Sequence, residues 1–401
     1  MENLIQNPVI NFDIAERKII EIYNQIVSAN TSNLGIGPIG GKSGIALFLF
    51  YYSKHFQDQK AANIALDLLH DCITDVEDGF IFFSYSSGLA GLGSVFQHLS
   101  DSGILDIDTE GVLGSFDEYL KRKMFESIDE NNIDFLHGAL GIAYYFLRRN
   151  RNEIVIEFIH KLVAGFKSNI AGVYWETEIN LGEKRELGVN FGLAHGIFSI
   201  ISFFNNVIST GSFIEHTALL NEILLELNRY VLANRLPEDK LNSFPTWDTP
   251  SSKMNYSRLA WCYGDLPAGL VLLESAILTN NEVWHSESID ILRKTLKRVD
   301  IKQESVYDAG FCHGSSGLAY LYYKIFKRTN IEEFLLQSDY WLEVTLNKDE
   351  FKDGYAGYKA FHQNEGWSNE IGVLEGIAGI GLVMLARLSG GDSSWDSLFL
   401  I

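Results

Sequence analysis

Phe311-Cys312-His313-Gly314-Ser315-Ser316-Gly317-Leu318-Ala319-Tyr320-Leu321-Tyr322-Tyr323 carries the pattern that decides the fold. It is a small residue, two free positions, glycine, then Ile/Leu-Ala and an apolar run. Seven copies can be read: GGKSGIALFLF from Gly40, SYSSGLAGLGSVF from Ser84, HGALGIAYYFL from His137, HGIFSIISFF from His195, YGDLPAGLVLL from Tyr263, HGSSGLAYLYY from His313 and EGIAGIGLVML from Glu375. Two copies are degenerate, with Ser199 and Pro267 in place of the second glycine. A period of this size marks a repeat architecture.

About ten nearly all-apolar residues follow each start. A helix apolar on every side is a buried one. The segments between copies are amphipathic, as at Ala61–Cys72, Ile154–Phe166, Thr217–Leu232 and Ile289–Val299. Each unit therefore reads as one outer amphipathic helix and one inner buried helix. The paired glycines permit a tight turn and close approach at the entry of the inner helix. A single helical hairpin cannot cover a two-faced inner helix, so the units pack side by side. The expected fold is all-α: an α/α barrel, or toroid, of seven helical hairpins. The open alternative is an α-solenoid, but spacings of 44, 53, 58, 68, 50 and 62 residues are too irregular for one. Gly172–Glu176 is strand-like and interrupts a unit.

The chain has 401 residues, 46% of them hydrophobic, only 6 prolines and no linker-like stretch. A single domain over residues 1–401 is expected. The net charge of −20 argues against nucleic acid as a partner and suits a cationic substrate. Three widely spaced cysteines make no disulfide framework, which points to a reducing compartment. The N-terminal MENLIQNPVINFDIAERKII has no signal pattern, and the longest apolar runs, such as Ile45–Tyr52, are far too short to cross a bilayer.

In a closed barrel the seven pattern starts share one mouth, where inner-helix N-termini converge. Cys262 and Cys312 each precede the first column by one residue, and His195, Tyr263 and His313 occupy it. Asp134 lies three residues before His137, and Arg258 five before Tyr263. Two thiolates and an imidazole suit Zn²⁺ better than a harder metal, so Cys262, Cys312 and His313 read as zinc ligands with a fourth position open. Either cysteine alone would read as a core residue. On pattern alone, His195 is either a core histidine or an acid–base group. Asp134 could equally cap a helix, Arg258 pair at the surface and Tyr263 pack. His137 and Glu375 reach the same mouth without an assigned role. Cys72 reads as a core cysteine, and Gly35-x-Gly37 is not a phosphate loop.

WCYG at Trp261, CHG at Cys312, AHG at Ala194 and the repeated GxxG[IL]A resemble the lanthionine synthetase C family over about Gly35 to Ser389. The resemblance implies an α/α toroid with a central zinc. It implies addition of precursor-peptide cysteine thiols to dehydroalanine or dehydrobutyrine, giving (methyl)lanthionine thioether rings. It places the metal ligands on Cys262, Cys312 and His313, and the other active-site positions on Asp134, His195, Arg258 and Tyr263. It also implies partners: a dehydrated precursor with its leader, a separate dehydratase, and a membrane transporter. The implied location is cytoplasmic, at the periphery of a membrane-associated complex. Pro267 departs from the family's glycine, a change a first helical turn tolerates. Two other readings of the same fold are a glutathione-adding relative and a zinc-containing peptide-binding scaffold without activity. Protein prenyl transfer and α/α-barrel glycoside hydrolysis fit less well: the WCYG/CHG pair is not the signature of the first, and Asp134 with Glu375 is a thin carboxylate pair for the second.

Overall fold

The computed structural model describes residues 10–390 and 394–401. The signal-peptide reading of the first nine residues lies outside them. Fourteen α-helices are present among the described residues. The first half of the chain gives α1 (Phe12–Ser28), α2 (Lys42–Phe56), α3 (Gln59–Glu77), α4 (Leu89–Asp101), α5 (Thr109–Asp129), α6 (Ala139–Arg148) and α7 (Asn152–Gly165). The second half gives α8 (Ile197–Ser209), α9 (Thr217–Ala233), α10 (Asp265–Thr279), α11 (Glu282–Thr295), α12 (Ser315–Thr329), α13 (Glu332–Leu346) and α14 (Ile377–Leu388).

Even-numbered helices form the inner ring. Each packs on the next, and α14 returns to pack on α2, so the ring closes. The first outer helix, α1, lies against the last inner helix, α14. The sequence dictates this division. In α1 the buried Ala15, Ile19, Ile22 and Ile26 recur every three or four residues, one apolar stripe. In α14 every residue from Ile377 to Arg387 is buried. The outer helix predicted over Ile289–Val299 ends at Thr295, four residues early.

All seven inner helices are N-capped by glycine with no side-chain cap. At Gly264 the reason is direct: φ is +102°, and a Cβ would lie 2.1 Å from the Arg258 carbonyl oxygen. The second glycine meets the same crowding, since a Cβ on Gly317 would lie 1.9 Å from the Phe311 carbonyl. Pro267 sits in the first turn of α10, where its missing N–H costs no helical hydrogen bond. The second copy starts three residues later than expected. Gly88 is the cap, so Ser87 and not Ser84 holds the column.

Main-chain hydrogen bonds pass from loop to loop around the mouth. Val373 N–H donates to Ile39 O, Ile39 to Ser86, Ser86 to Leu136, Ala194 to Cys262, Trp261 to Cys312 and Cys312 to Leu374. Long mouth loops carry short strands. β1 (Lys167–Asn169) pairs with β2 (Gly172–Tyr174), inside the stretch read as strand-like. β3 (Thr177–Asn180), β4 (Arg185–Asn190), β5 (Trp247–Asp248) and β6 (Lys253–Met254) form an antiparallel sheet in that order. β7 (Ala360–His362) and β8 (Gly366–Ser368) form a hairpin.

Residues 394–401 thread the ring from the opposite end. Ser394 meets Tyr51 in α2, and Phe399 ends beneath Trp261 and Phe311. Trp395 is fully buried. The ring's interior polar groups hold this segment: Tyr85 O–H donates to Leu398 O, Tyr144 to Ser397 O, Trp261 Nε1–H to Phe399 O and Tyr320 to Asp396. The central space is therefore a packed core with a floor just under the mouth. Among the described residues no helix is long and apolar enough to cross a membrane.

Candidate active site

Trp261 and Phe311 pack on that floor, which fixes the following residues, Cys262 and Cys312, at the mouth. The Trp261 N–H donates to the Cys312 carbonyl at 2.7 Å. Both thiols are buried, and each is the largest influence on the other's titration. The neighbouring Cys312 brings Cys262 down to about 7, against burial and with help from the Arg258 charge. Cys312 moves up, chiefly because a Cys262 thiolate beside it holds its proton. One proton leaves this pair readily and the second does not.

His313 is at the mouth, just before the α12 cap Gly314, with its ring beside Asp308. Its Nε2 lies 3.7 Å from Asp308 Oδ2, and burial lowers its pKa. Asp308 is itself fixed, accepting the N–H groups of Gly310 and Phe361. Among the described residues no three His, Cys, Asp or Glu side chains close around one point. The loops of Cys262 and Cys312 are thus brought together, and His313 lies at the same mouth beside Asp308.

His195 and Asp134 are brought into direct contact. His195 Nδ1 lies 2.5 Å from Asp134 Oδ2. Burial disfavours the imidazolium, yet Asp134 outweighs it and raises His195 above its ordinary value. The other carboxylate oxygen accepts the His137 N–H at 2.8 Å, so Asp134 is also the turn-former the sequence allowed. His137 stacks on His195 at 6.1 Å between centroids and meets Ser86 Oγ at 3.0 Å. Tyr263 also lies against His195, its ring tilted and 6.1 Å away between centroids. Burial pushes its phenol up to about 12, and Asn190 Nδ2–H donates to it at 2.9 Å.

Arg258 is half-buried between these groups, and its charge acts on Cys262, Cys312, His313 and Glu375 together. Its loop is clamped by an ion cluster beneath it. Arg298, wholly buried, bonds Glu304 at 2.9 Å, Asp265 at 3.2 Å and the Ser257 carbonyl at 2.5 Å. Asp265 accepts Ser243 and Phe244 N–H, and Glu304 accepts that of Leu259.

Sequence reasoning missed Asn190 and His362. Both lie on strands inserted between repeats, β4 and β7, where no repeat register points to them. His362 faces Glu375 at 3.8 Å and Ser368 Oγ at 2.9 Å. Burial raises the Glu375 carboxyl. A cavity of about 880 Å³ opens beside Asp134, His195, Asn190 and Tyr263.

A closed ring of seven helical hairpins with a thiol pair at its mouth defines an α/α toroid suited to thiol chemistry. The chain belongs to the lanthionine synthetase C-like proteins, whose family model matches residues 39–400. It is 24% identical to the nisin biosynthesis protein NisC of Lactococcus lactis subsp. lactis over 398 residues, covering 92% of this chain and 90% of that protein. The solved structure of nisin cyclase superposes with a TM-score of 0.72 at 18% identity, covering 96% of both chains. At that identity the likeness speaks for the fold.

Proposed function

We propose that this protein is a zinc-dependent peptide cyclase that forms (methyl)lanthionine rings in a dehydrated precursor peptide. The observation that carries the reading is the main-chain bond from Trp261 to Cys312, which brings the loops of Cys262 and Cys312 together at the same mouth as the hydrogen-bonded His195–Asp134 pair. Family membership supports it, and so does the thiol chemistry of the donor set.

Cys262 and Cys312 would hold zinc, and His313 would join them by rotating away from Asp308. Zinc bound there would favour the thiolate of a substrate cysteine at neutral pH. The substrate thiol gives its proton to solvent, and the sulfur lone pair attacks the β-carbon of the dehydro residue. The C=C electron pair moves toward the carbonyl, giving an enolate. His195 then delivers a proton to the α-carbon, and the sum is addition of S–H across C=C. Asp134 holds His195 in the charged form and fixes its ring. Arg258 and Tyr263 stabilise the enolate oxygen by charge and hydrogen bonding. The dehydro residues must be made beforehand, so a separate dehydratase precedes this protein, and a transporter takes the product. A reduced thiol pair suits the cytoplasm, at the edge of a membrane-associated complex. Glutathione is a poorer partner, because it carries net negative charge toward carboxylate-rich walls.

The test is zinc content combined with a free-thiol count on a dehydrated peptide. Stoichiometric zinc and loss of peptide thiols without oxidant are expected. A metal-free protein, or thiols unchanged after incubation with the zinc-loaded protein, would overturn the reading.

A further inference from the structure

The cavity beside His195 continues outward as a groove. One wall is the end of α5 and its following turn, Asp129 to Asp134. The other is β3 with Glu176 before it. Asn131 reaches across to donate to the Glu176 carbonyl at 3.1 Å, so the outer edge of the β3 segment faces this opening. β3 is the terminal strand of its sheet, and one row of its N–H and C=O groups is unused by any neighbouring strand. Four residues give about 13 Å of such edge. Free edges of this kind accept extended peptides as an added strand.

The outer lining is acidic: Asp129, Glu130, Glu176 and Glu178 face one cation, Lys167. Asp129 is paired with Lys161 and Glu178 with Arg185. Among the described residues no cation pairs with Glu130 or Glu176. Leu187, opposite Glu178 across the β3–β4 ladder, is 52% exposed on the same lining and offers an apolar contact. A groove that combines a free strand edge, unpaired carboxylates and direct continuity with His195 and Tyr263 fits a chain, not a small solute.

We propose that this groove takes an extended, lysine- or arginine-bearing segment of the substrate peptide, paired to the free edge of β3, and so feeds the reacting residue to His195. The identity of the occupant as the precursor rests on the cyclase reading; the groove's preference for a basic extended chain does not. Basic flanking sequence then sets affinity and register, with Glu130 and Glu176 as the selecting charges.

The test uses two short fluorescent peptides, one with lysines flanking a cysteine and one with glutamines in their place. Both carry serine instead of the dehydro residue, so neither can react. Anisotropy at low salt should show the lysine peptide binding about tenfold more tightly, with the gap closing as salt rises. E130Q/E176Q should weaken the lysine peptide about fivefold and leave the glutamine peptide unchanged. E16Q/D67Q, on outer helices α1 and α3, should change neither. Amide hydrogen exchange should slow over residues 177–180 when the lysine peptide binds. Equal affinity for the two peptides, no binding by either, or unchanged exchange in β3 would overturn the proposal. Because the measurement needs no reaction and no zinc, its outcome is separate from that of the cyclisation assay.

Discussion

The Asp134 carboxylate and the His195 ring nitrogen Nδ1 lie 2.5 Å apart, joined across neighbouring units of the ring from positions 61 residues apart. The second carboxylate oxygen is held by the His137 N–H, so the carboxylate has little freedom to leave. Burial alone would lower the imidazole pKa, and Asp134 reverses that. In D134N the sign therefore changes, and His195 titrates at lower pH. If His195 is the proton donor proposed above, the alkaline limb of thioether formation should move to lower pH. An NMR titration of His195 should show the same shift without relying on activity. H195A should keep its zinc and lose about 10²–10⁴-fold in rate, the usual contribution of a positioned acid.

The thiol pair makes a prediction of its own. The neighbouring Cys312 is the largest influence that lowers Cys262, and burial is the largest opposing it. In metal-free C312A the first is gone and the second stays. Alkylation of Cys262 by iodoacetamide should then need higher pH than in the wild type, since the thiolate is the nucleophile. The same variant should lose stoichiometric zinc. Unaltered alkylation with pH would show that the two sulfurs do not share a proton in solution.

Much of this arrangement was legible in the chain because a repeat converts sequence distance into a common position. Cys262 and Cys312 are fifty residues apart, yet each precedes a glycine-capped helix by the same offset, and the ring joins their loops by a main-chain hydrogen bond. The slip from Ser87 to Ser84 arose where Ser84-Tyr-Ser-Ser-Gly offers serine at several offsets. His313 was placed at the right mouth, but its orientation follows from Asp308, whose own position depends on Phe361 in β7. Asn190 and His362 lie on strands outside the repeat. The 394–401 segment was illegible for another reason. Its partners, such as Trp261 for Phe399, are 138 residues away, and its own pattern is too short to carry a period.

That segment should matter to stability and to the site at once. Trp395 packs against Phe311 and Tyr320, 5.6 and 4.8 Å between centroids, with no exposed surface. W395A leaves a large cavity and should cost about 3–5 kcal/mol in urea unfolding. The cavity lies beside Phe311, the residue before Cys312, and beside Phe399, which packs on Trp261. Zinc affinity should fall in W395A, and W395F should restore most of it by refilling the space. A W395A protein as stable as the wild type would show that the segment does not plug the ring.

The last prediction concerns the charges under Arg258. Among the described residues Arg298 is the sole guanidinium bonded to both Asp265 and Glu304, and all three are buried. Burial pushes the Asp265 carboxyl up, and Arg298 opposes that rise. R298M fills similar space but strands two carboxylates, which should cost about 3–5 kcal/mol at neutral pH. The pH dependence follows from the sign. Without the guanidinium the buried carboxyls bind protons more tightly in the folded state than in the unfolded state. Folding of R298M is then favoured by acid, and its deficit should shrink as pH falls toward the carboxylate range. R298M/E304Q should recover part of the loss at neutral pH, because one stranded charge is removed. The loop from Asn242 to Leu259 is tied to this cluster through Ser243, Phe244, Ser257 and Leu259, so Arg258 should loosen with it. Denaturant midpoints across pH for the two variants, set beside their amide exchange over residues 242–259, test both halves. A deficit that is flat with pH would mean that the carboxylates are already neutral in the native protein.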